Sequence, residues 1–159
     1  METRQHGLGK SLTLWYSYNE SKMNADYENA LRKIGTFDTL EKFWQLYSFI
    51  KKPDDMAYNV EYHIFTGEVK PMWEDEANKN GSRWIFRVKK GAANEFWEEL
   101  VLAYIGGTFE ADTWINGIVV QTKKSEDVFA IWLRGPIDQH AKESIRERMR
   151  EIWRLGDLV

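Results

Sequence analysis

Trp73 and Glu74 stand side by side in the stretch EVKPMWEDEANKNGSRW (68–84), with Pro71 before them, Asp75 and Glu76 after them, and Arg83 and Trp84 at its end. An indole face holds a flat base by stacking, worth on the order of 1–3 kcal/mol per base. Positive charge on that base adds cation–π attraction of about 0.5–2 kcal/mol once water is excluded. A carboxylate beside the ring can accept two parallel N–H bonds from one edge of a guanine, and charge assistance makes the pair strong. The stretch therefore suits a ligand that is flat, cationic and rich in donors, such as an N7-alkylated guanine. Taken alone, it fits a turn tryptophan with solvated acids better.

Other residues add to it. In RWIFRVK (83–89), Arg83 and Arg87 share a face with Ile85, while Trp84, Phe86 and Val88 point the other way. In GIVVQTK (117–123), Val119, Gln121 and Lys123 share a face. Two strands could present cations on one side of a sheet, which suits a short phosphate chain; each such cation taken singly reads as a solvated charge.

Catalytic patterns are missing. Glu74, Asp75 and Glu76 could hold a metal in principle, but His6, His63 and His140 are scattered at no metal-ligand spacing. There is no Cys, no evident Ser–His–Asp set and no phosphate-binding Gly signature. The last helix reads IRERMREIW (145–153), more basic than acidic, unlike the clustered Glu pairs of a pyrophosphate hydrolase. No enzyme, cofactor or metal is expected.

The 159 residues make a single domain over 1–159, long enough to bury roughly 68–70% of the unfolded surface without a staple. A net charge of −3 disfavours a grip on a long nucleic-acid backbone and leaves room for a short piece. No apolar run is long enough to span a bilayer and METRQHGLGKS has no signal-peptide core, so the expectation is a cytoplasmic protein, with the nucleus open. Eight Trp exceed ordinary usage; most are assigned to the core.

Period-two alternation predicts strands at LTLWYSY (12–18), EYHIFTG (61–67), RWIFRVK (83–89), INGIVVQTK (115–123) and DVFAIWL (127–133). Helices are predicted over 39–50, with Asp38 and Glu41 as a capping box; over 94–105, with Asn94 as N-cap and Gly106–Gly107 as exit; and over 138–155, with Ala141, Ile145, Met149 and Ile152 on one stripe. Short connections imply antiparallel pairing with the helices on one sheet face. The fold class is α+β in two layers, with one sheet face left for a ligand.

The first helix carries excess apolar surface. Leu40, Phe43, Trp44, Leu46, Tyr47 and Ile50 span an arc of about 160°, with Leu40 and Trp44 at one margin. In the second helix Leu102 points off the stripe formed by Phe96, Trp97, Leu100, Val101 and Tyr104. Either both helices are well buried, or covered by a loop, or an apolar patch is offered to another protein's helix.

In order along almost the whole chain, HGL (6–8), LWY (14–16), TFDTLEKFWQLY (36–47), KPMWEDEANKNGSRW (70–84), IGGTF (105–109), GIVVQTK (117–123) and AIW (130–132) resemble the translation initiation factor 4E family, which binds the 7-methylguanosine cap of messenger RNA. The resemblance implies a curved antiparallel sheet with three helices on its convex face and a cap-binding concave face. It implies that Tyr27 and Trp73 sandwich the cap base, Glu74 reads the guanine edge and Trp132 meets the 7-methyl group. Arg83 and Lys123, with Gln121 and Arg87, would serve the phosphates. It implies a partner site at His6, Leu40, Trp44, Glu99, Leu102 and Gly106 for an initiation scaffold or repressor protein carrying a helical 4E-binding motif. The expected partners are capped mRNA and that protein, with no membrane, and the chain is expected to be a monomer.

Departures from the family pattern are Gly7 for a proline, Leu12 and Tyr27 for tryptophans, Val128 for a basic residue and Lys123 for an arginine. Tyr27, Leu12 and the stretch KKGAANEFW (89–97) resemble the class II, or 4E-homologous, branch, which raises a repressor role as the alternative to productive initiation. Lys123 cannot make a forked bond to phosphate, so weaker cap affinity is expected. The ending GDLV reads as shortened relative to the family.

Overall fold

The computed structural model describes residues 7–18, 31–67, 69–71, 78–107 and 112–156. Among the described residues there are six strands: β1 (Gly7–Tyr18), β2 (Leu31–Thr39), β3 (Val60–Thr66), β4 (Ser82–Lys89), β5 (Ile115–Thr122) and β6 (Glu126–Leu133). The helices are α1 (Leu40–Tyr47), α2 (Ala93–Ile105) and α3 (Gln139–Gly156). All strand pairs are antiparallel, in the order β2-β1-β3-β5-β6-β4, which makes one curved open sheet with β2 and β4 at its edges.

Alternation along the strands sends one set of side chains under the helices. Leu12 and Leu14 of β1, Tyr62 and Ile64 of β3, Ile118 and Val120 of β5, and Phe129 and Ile131 of β6 form a buried core. Phe43 and Tyr47 of α1 meet them there, with Phe96, Trp97 and Leu100 of α2. The α3 stripe Ala141, Ile145, Met149 and Ile152 is buried as its periodicity predicts. Phe129 lies at the centre, 4.6 Å from the ring of Phe96 and 6.2 Å from that of Trp97. The Tyr62 hydroxyl donates to the carbonyl of Lys51, tying β3 to the segment after α1, and burial pushes that hydroxyl up to about 12.

Four local expectations are corrected. Strand β2 was not foreseen, and β1 begins five residues earlier than the alternation indicates. The N-cap of α1 is Thr39, whose Oγ1 accepts from the Lys42 amide, while Asp38 instead pairs with the Lys42 ammonium at 3.0 Å. A threonine one residue further on offers its oxygen to the orphan amide at the right spacing, so no capping box forms. Helix α2 starts at Ala93, and Asn94 is not its cap: Asn94 Oδ1 accepts from the Asp54 amide and its own amide donates to Asp54 Oδ2, clamping the 53–55 turn to the helix start. At the other end Gly107, with φ +69°, supplies the left-handed exit expected of the Gly pair. Asp138 caps α3 by accepting from the Ala141 amide at 2.7 Å.

Candidate functional site

The face away from the helices is organised in rows, because paired residues on neighbouring strands share a face. The first row runs Thr13, Phe65, Gly117, Trp132, Arg83 across β1, β3, β5, β6 and β4. The second runs Trp15, His63, Val119, Ala130, Ile85, and the third Ser17, Glu61, Gln121, Val128, Arg87.

Phe65, Val119, Ala130 and Trp132 form a second, separate apolar cluster that floors this face, with Val69 packed on it. The Phe65 ring stands edge-on to Trp132 at 5.5 Å. Room for it comes from Gly117, where an added Cβ would lie 2.2 Å from Phe65 Cδ1 and 2.3 Å from Cγ. Gly117→Ala should therefore displace the Phe65 ring and tilt Trp132, costing about 1–3 kcal/mol as overpacking does; an unfolding free energy lower by that amount, read from a lower urea midpoint at unchanged slope, is the expected result.

Arg83 lies over the opposite edge of this floor, its Cζ 5.6 Å from the Trp132 ring centre. Arg87 is exposed and bridges to Glu126 at 2.9 Å, a surface pair of small energetic weight. Gln121 is half-buried beside Glu61, and Lys123 is exposed in the β5–β6 turn, its amide donating to the Glu126 carbonyl. The structure thus brings Trp132, Arg83, Gln121 and Arg87 onto one face. Tyr27, Trp73 and Glu74, together with Asp75 and Glu76, lie outside the described residues, as does His6 on the partner side.

A polar knot in this face escaped the sequence reading. Glu61 Oε2 accepts from Ser17 Oγ at 3.0 Å and lies 3.1 Å from His63 Nε2, which is also 3.1 Å from Ser17 Oγ. Burial alone would raise the Glu61 carboxyl, but the hydrogen bond and charge of His63, the Ser17 hydroxyl and the Arg83 guanidinium together hold it below the usual carboxylate range. The available signal was two polar residues, Glu61 and His63, two apart in a strand otherwise apolar or aromatic up to its last residue, Thr66. Among the described residues no group of three acids or histidines is arranged to hold a metal ion.

The opposite, helical face carries the second set of predicted residues. Phe43 and Tyr47 of α1 are buried, whereas Trp44 stays 41% exposed and Leu102 of α2 38%, so the margin residues are not absorbed by the core. The Trp44 ring is propped edge-on against Phe43 at 5.1 Å and Tyr47 at 5.8 Å. Leu40 is half-buried and Glu99 exposed. The Gly106 amide closes α2 on the Leu102 carbonyl at 2.9 Å, and a Cβ there would come within 2.7 Å of that oxygen. Glu98 of α2 acts electrostatically on Tyr47 and Lys52, so α1 and α2 are neighbours on this face.

Comparison with known proteins matches residues 7–158 to the family model described as "Eukaryotic initiation factor 4E". A wheat protein named "Eukaryotic translation initiation factor NCBP" is 34% identical over 151 residues, covering 94% of this chain; the chain spans 65% of that protein's length. Among solved structures, Ascaris suum eIF4E-3 in complex with an m7G cap superposes with a TM-score of 0.86 at 31% identity, covering 94% of this chain and 84% of that one. Caenorhabditis elegans eIF4E-3 in complex with the 4E-binding protein Mextli and a cap analog gives 0.86 at 30% identity, covering 94% and 86%.

Proposed function

Because the chain belongs to the eukaryotic initiation factor 4E family, we propose that its concave face binds the 7-methylguanosine cap of messenger RNA and that its helical face takes a helix from a scaffold or repressor protein. In this reading Tyr27 and Trp73 sandwich the base, Glu74 accepts from its Watson–Crick edge, and Trp132 meets the methyl group. Arg83, Lys123, Gln121 and Arg87 serve the phosphates. The observation that carries it is the aromatic floor of Phe65 and Trp132 flanked by the Arg83 cation, a surface fit for a cationic base joined to an anionic chain. The related chain from Ascaris, solved with such a cap, supports it.

The protein acts by binding, without catalysis, in translation in the cytoplasm. The names of its relatives do not single out a repressor, so the class II alternative is not carried further. Titration with 7-methylguanosine triphosphate, followed by tryptophan fluorescence, should give saturable quenching at concentrations where unmethylated GTP gives little. Equal affinity for the two nucleotides would refute the reading.

The partner site would comprise His6, Leu40, Trp44, Glu99, Leu102 and Gly106, and the exposed indole of Trp44 is its anchor. A buried tryptophan anchor typically contributes about 2 kcal/mol or more to an interface. Trp44→Ala should therefore weaken capture of a peptide carrying the helical 4E-binding motif by at least roughly thirtyfold, while leaving the cap titration unchanged. Isothermal titration with that peptide measures it.

A further inference from the structure

Strand β4 carries two kinds of side chain. Arg83, Ile85 and Arg87 lie in the concave rows, while Trp84 and Phe86 alternate with them and pack against the core on the helical side. Because β4 is a border strand of the described sheet, a chain leaving the phosphate residues reaches the helical side by crossing one strand. Resting on the cap reading above, we propose that the cleft between β4 and α3 is a second ligand site, which takes single-stranded RNA downstream of the cap. A base lies against Trp84 and Phe86, and Arg146 and Arg150 hold the phosphates beside it.

The cleft has a volume of about 210 Å³ and is lined by Trp84 and Phe86 of β4 and by Arg146, Met149 and Arg150 of α3. The three helix residues share a face because they are three and four apart. Cavities of about 150 Å³ accept a benzene ring, so there is room for a single-ring base. The floor is apolar: Met149 is buried and the two aromatic side chains are half-buried. The rim is cationic, with Arg146 and Arg150 both exposed. The Arg146 guanidinium lies 5.9 Å from the Trp84 ring centre, which sets a flat, donor-rich group beside the stacking surface. Any base stacks on an aromatic side chain, and arginine can hold both a ring face and a phosphate.

Charge decides what enters. Glu126 is engaged with Arg87 at 2.9 Å, Asp127 with Lys90 at 2.7 Å and Glu147 with Arg150 at 2.6 Å. Glu143, one turn before Arg146, accepts from Gln139 at 3.3 Å. Arg146 and Lys89 pair with no acid among the described residues. Cations therefore outnumber acids along this border, and a ligand that brings negative charge together with a flat ring complements it. An acidic peptide would have to find the cleft unaided. RNA attached to a bound cap is held beside it at raised local concentration. The net charge of −3 suits a short grip of this kind rather than a long one.

The test measures, by fluorescence titration, the affinity for the dinucleotide cap (7-methylguanosine joined through a triphosphate to guanosine) and for a capped, uridine-rich RNA of about ten nucleotides, within the span such grooves take. The wild-type chain is compared with the double substitution Arg146→Glu and Arg150→Glu, at two exposed positions outside the cap site, and with Trp84→Leu, which keeps an apolar side chain and removes the flat face. The wild type should bind the capped RNA about tenfold more tightly than the dinucleotide, as one stacked base with a phosphate contact provides. That excess should shrink as salt is raised. Both variants should lose it and bind the dinucleotide as the wild type does. A Tm for each shows that the fold is kept, and the charge-reversal variant decides the matter if Trp84→Leu fails to fold. An excess that persists in the charge-reversal variant puts the RNA elsewhere and overturns the proposal. Equal affinity of the wild type for the two ligands overturns it too, with the cap reading intact; a glutamate-rich peptide that then binds the wild type and not the variant would assign the cleft to a protein instead. Failure of the dinucleotide to bind the wild type overturns the cap reading and this inference with it.

Discussion

Glu74→Ala is expected to raise the Kd for 7-methylguanosine triphosphate by roughly thirtyfold or more, because truncating one partner of a hydrogen-bonded charge pair costs about 2–5 kcal/mol. The reason is the ligand left behind. A cationic guanine pressed between two rings has its edge donors out of water. Without the carboxylate those donors have no acceptor, and the positive charge loses its counter-ion. In the proposed site, stacking on Tyr27 and Trp73 would remain, so the variant should retain weak binding and a smaller discrimination between methylated and unmethylated nucleotide. Glu74→Gln separates the two contributions: it keeps an acceptor but loses the charge, and should fall between wild type and alanine. Fluorescence titration of the three proteins reads the series, and a silent Glu74→Ala would remove that residue from the site.

Phe129→Ala is expected to destabilise the fold by about 3–5 kcal/mol, the range for emptying a buried aromatic position. Phe129 is fully buried, sits on a strand paired on both sides, and packs against Phe96 and Trp97 of α2. Few neighbours can close the gap: the sheet on one side is held by ladders to β5 and β4, and α2 on the other is pinned at its start by the Asp54–Asn94 clamp. The cavity should therefore persist, and a denaturant titration should show a lower midpoint with an unchanged slope. The same residue borders the site indirectly, since Ala130 and Trp132 follow it on β6 and face the other way. A partial loss of cap-analogue affinity in the variant, at temperatures where it is still folded, is the accompanying expectation.

Much of the architecture could be read from alternation, and the exceptions have local causes. Strands β3 to β6 carry a legible signal in their β-branched and aromatic residues: β4 alternates in burial, while β3, β5 and β6 are buried almost throughout. Strand β2 lacks it. Its residues LRKIGTFDT meet β1 with a register shift between Leu14 and Trp15, so that Leu31 and Phe37 are buried while the spacing between them is irregular. Gly35 adds to the blur: it is the place where Leu46 of α1 comes so close that a Cβ would meet its methyls at 2.9 Å. A glycine inside a strand lowers its apparent propensity even when close packing is its purpose. The start of β1, GLGKS, was missed for the same reason.

The helical margin residues were legible because angle alone sets Leu40, Trp44 and Leu102 apart from the buried stripes. On the concave face, alternation alone set Arg83 and Arg87 on one side of β4, whereas Trp132 entered only through the family resemblance. The Ser17–Glu61–His63 knot was not legible, because it joins two strands whose register sequence does not give, and because a lone histidine in an apolar strand reads as core.

The position of β4 at the border of the sheet has one more consequence. Among the described residues, its outer backbone meets no further strand. Such a border can recruit the same segment of another molecule, and dense positive charge is a common guard against it. Here Arg83, Arg87, Lys89 and Lys90 crowd the strand and the turn that follows; Arg87 and Lys90 pair with Glu126 and Asp127, but the four cations exceed those two acids, so two copies approaching border to border repel each other. The guanidinium groups proposed to hold an anionic ligand would then also keep the protein from aggregating, and charge-removing variants made to probe the groove would need to be checked for solubility before any loss of affinity is ascribed to the ligand.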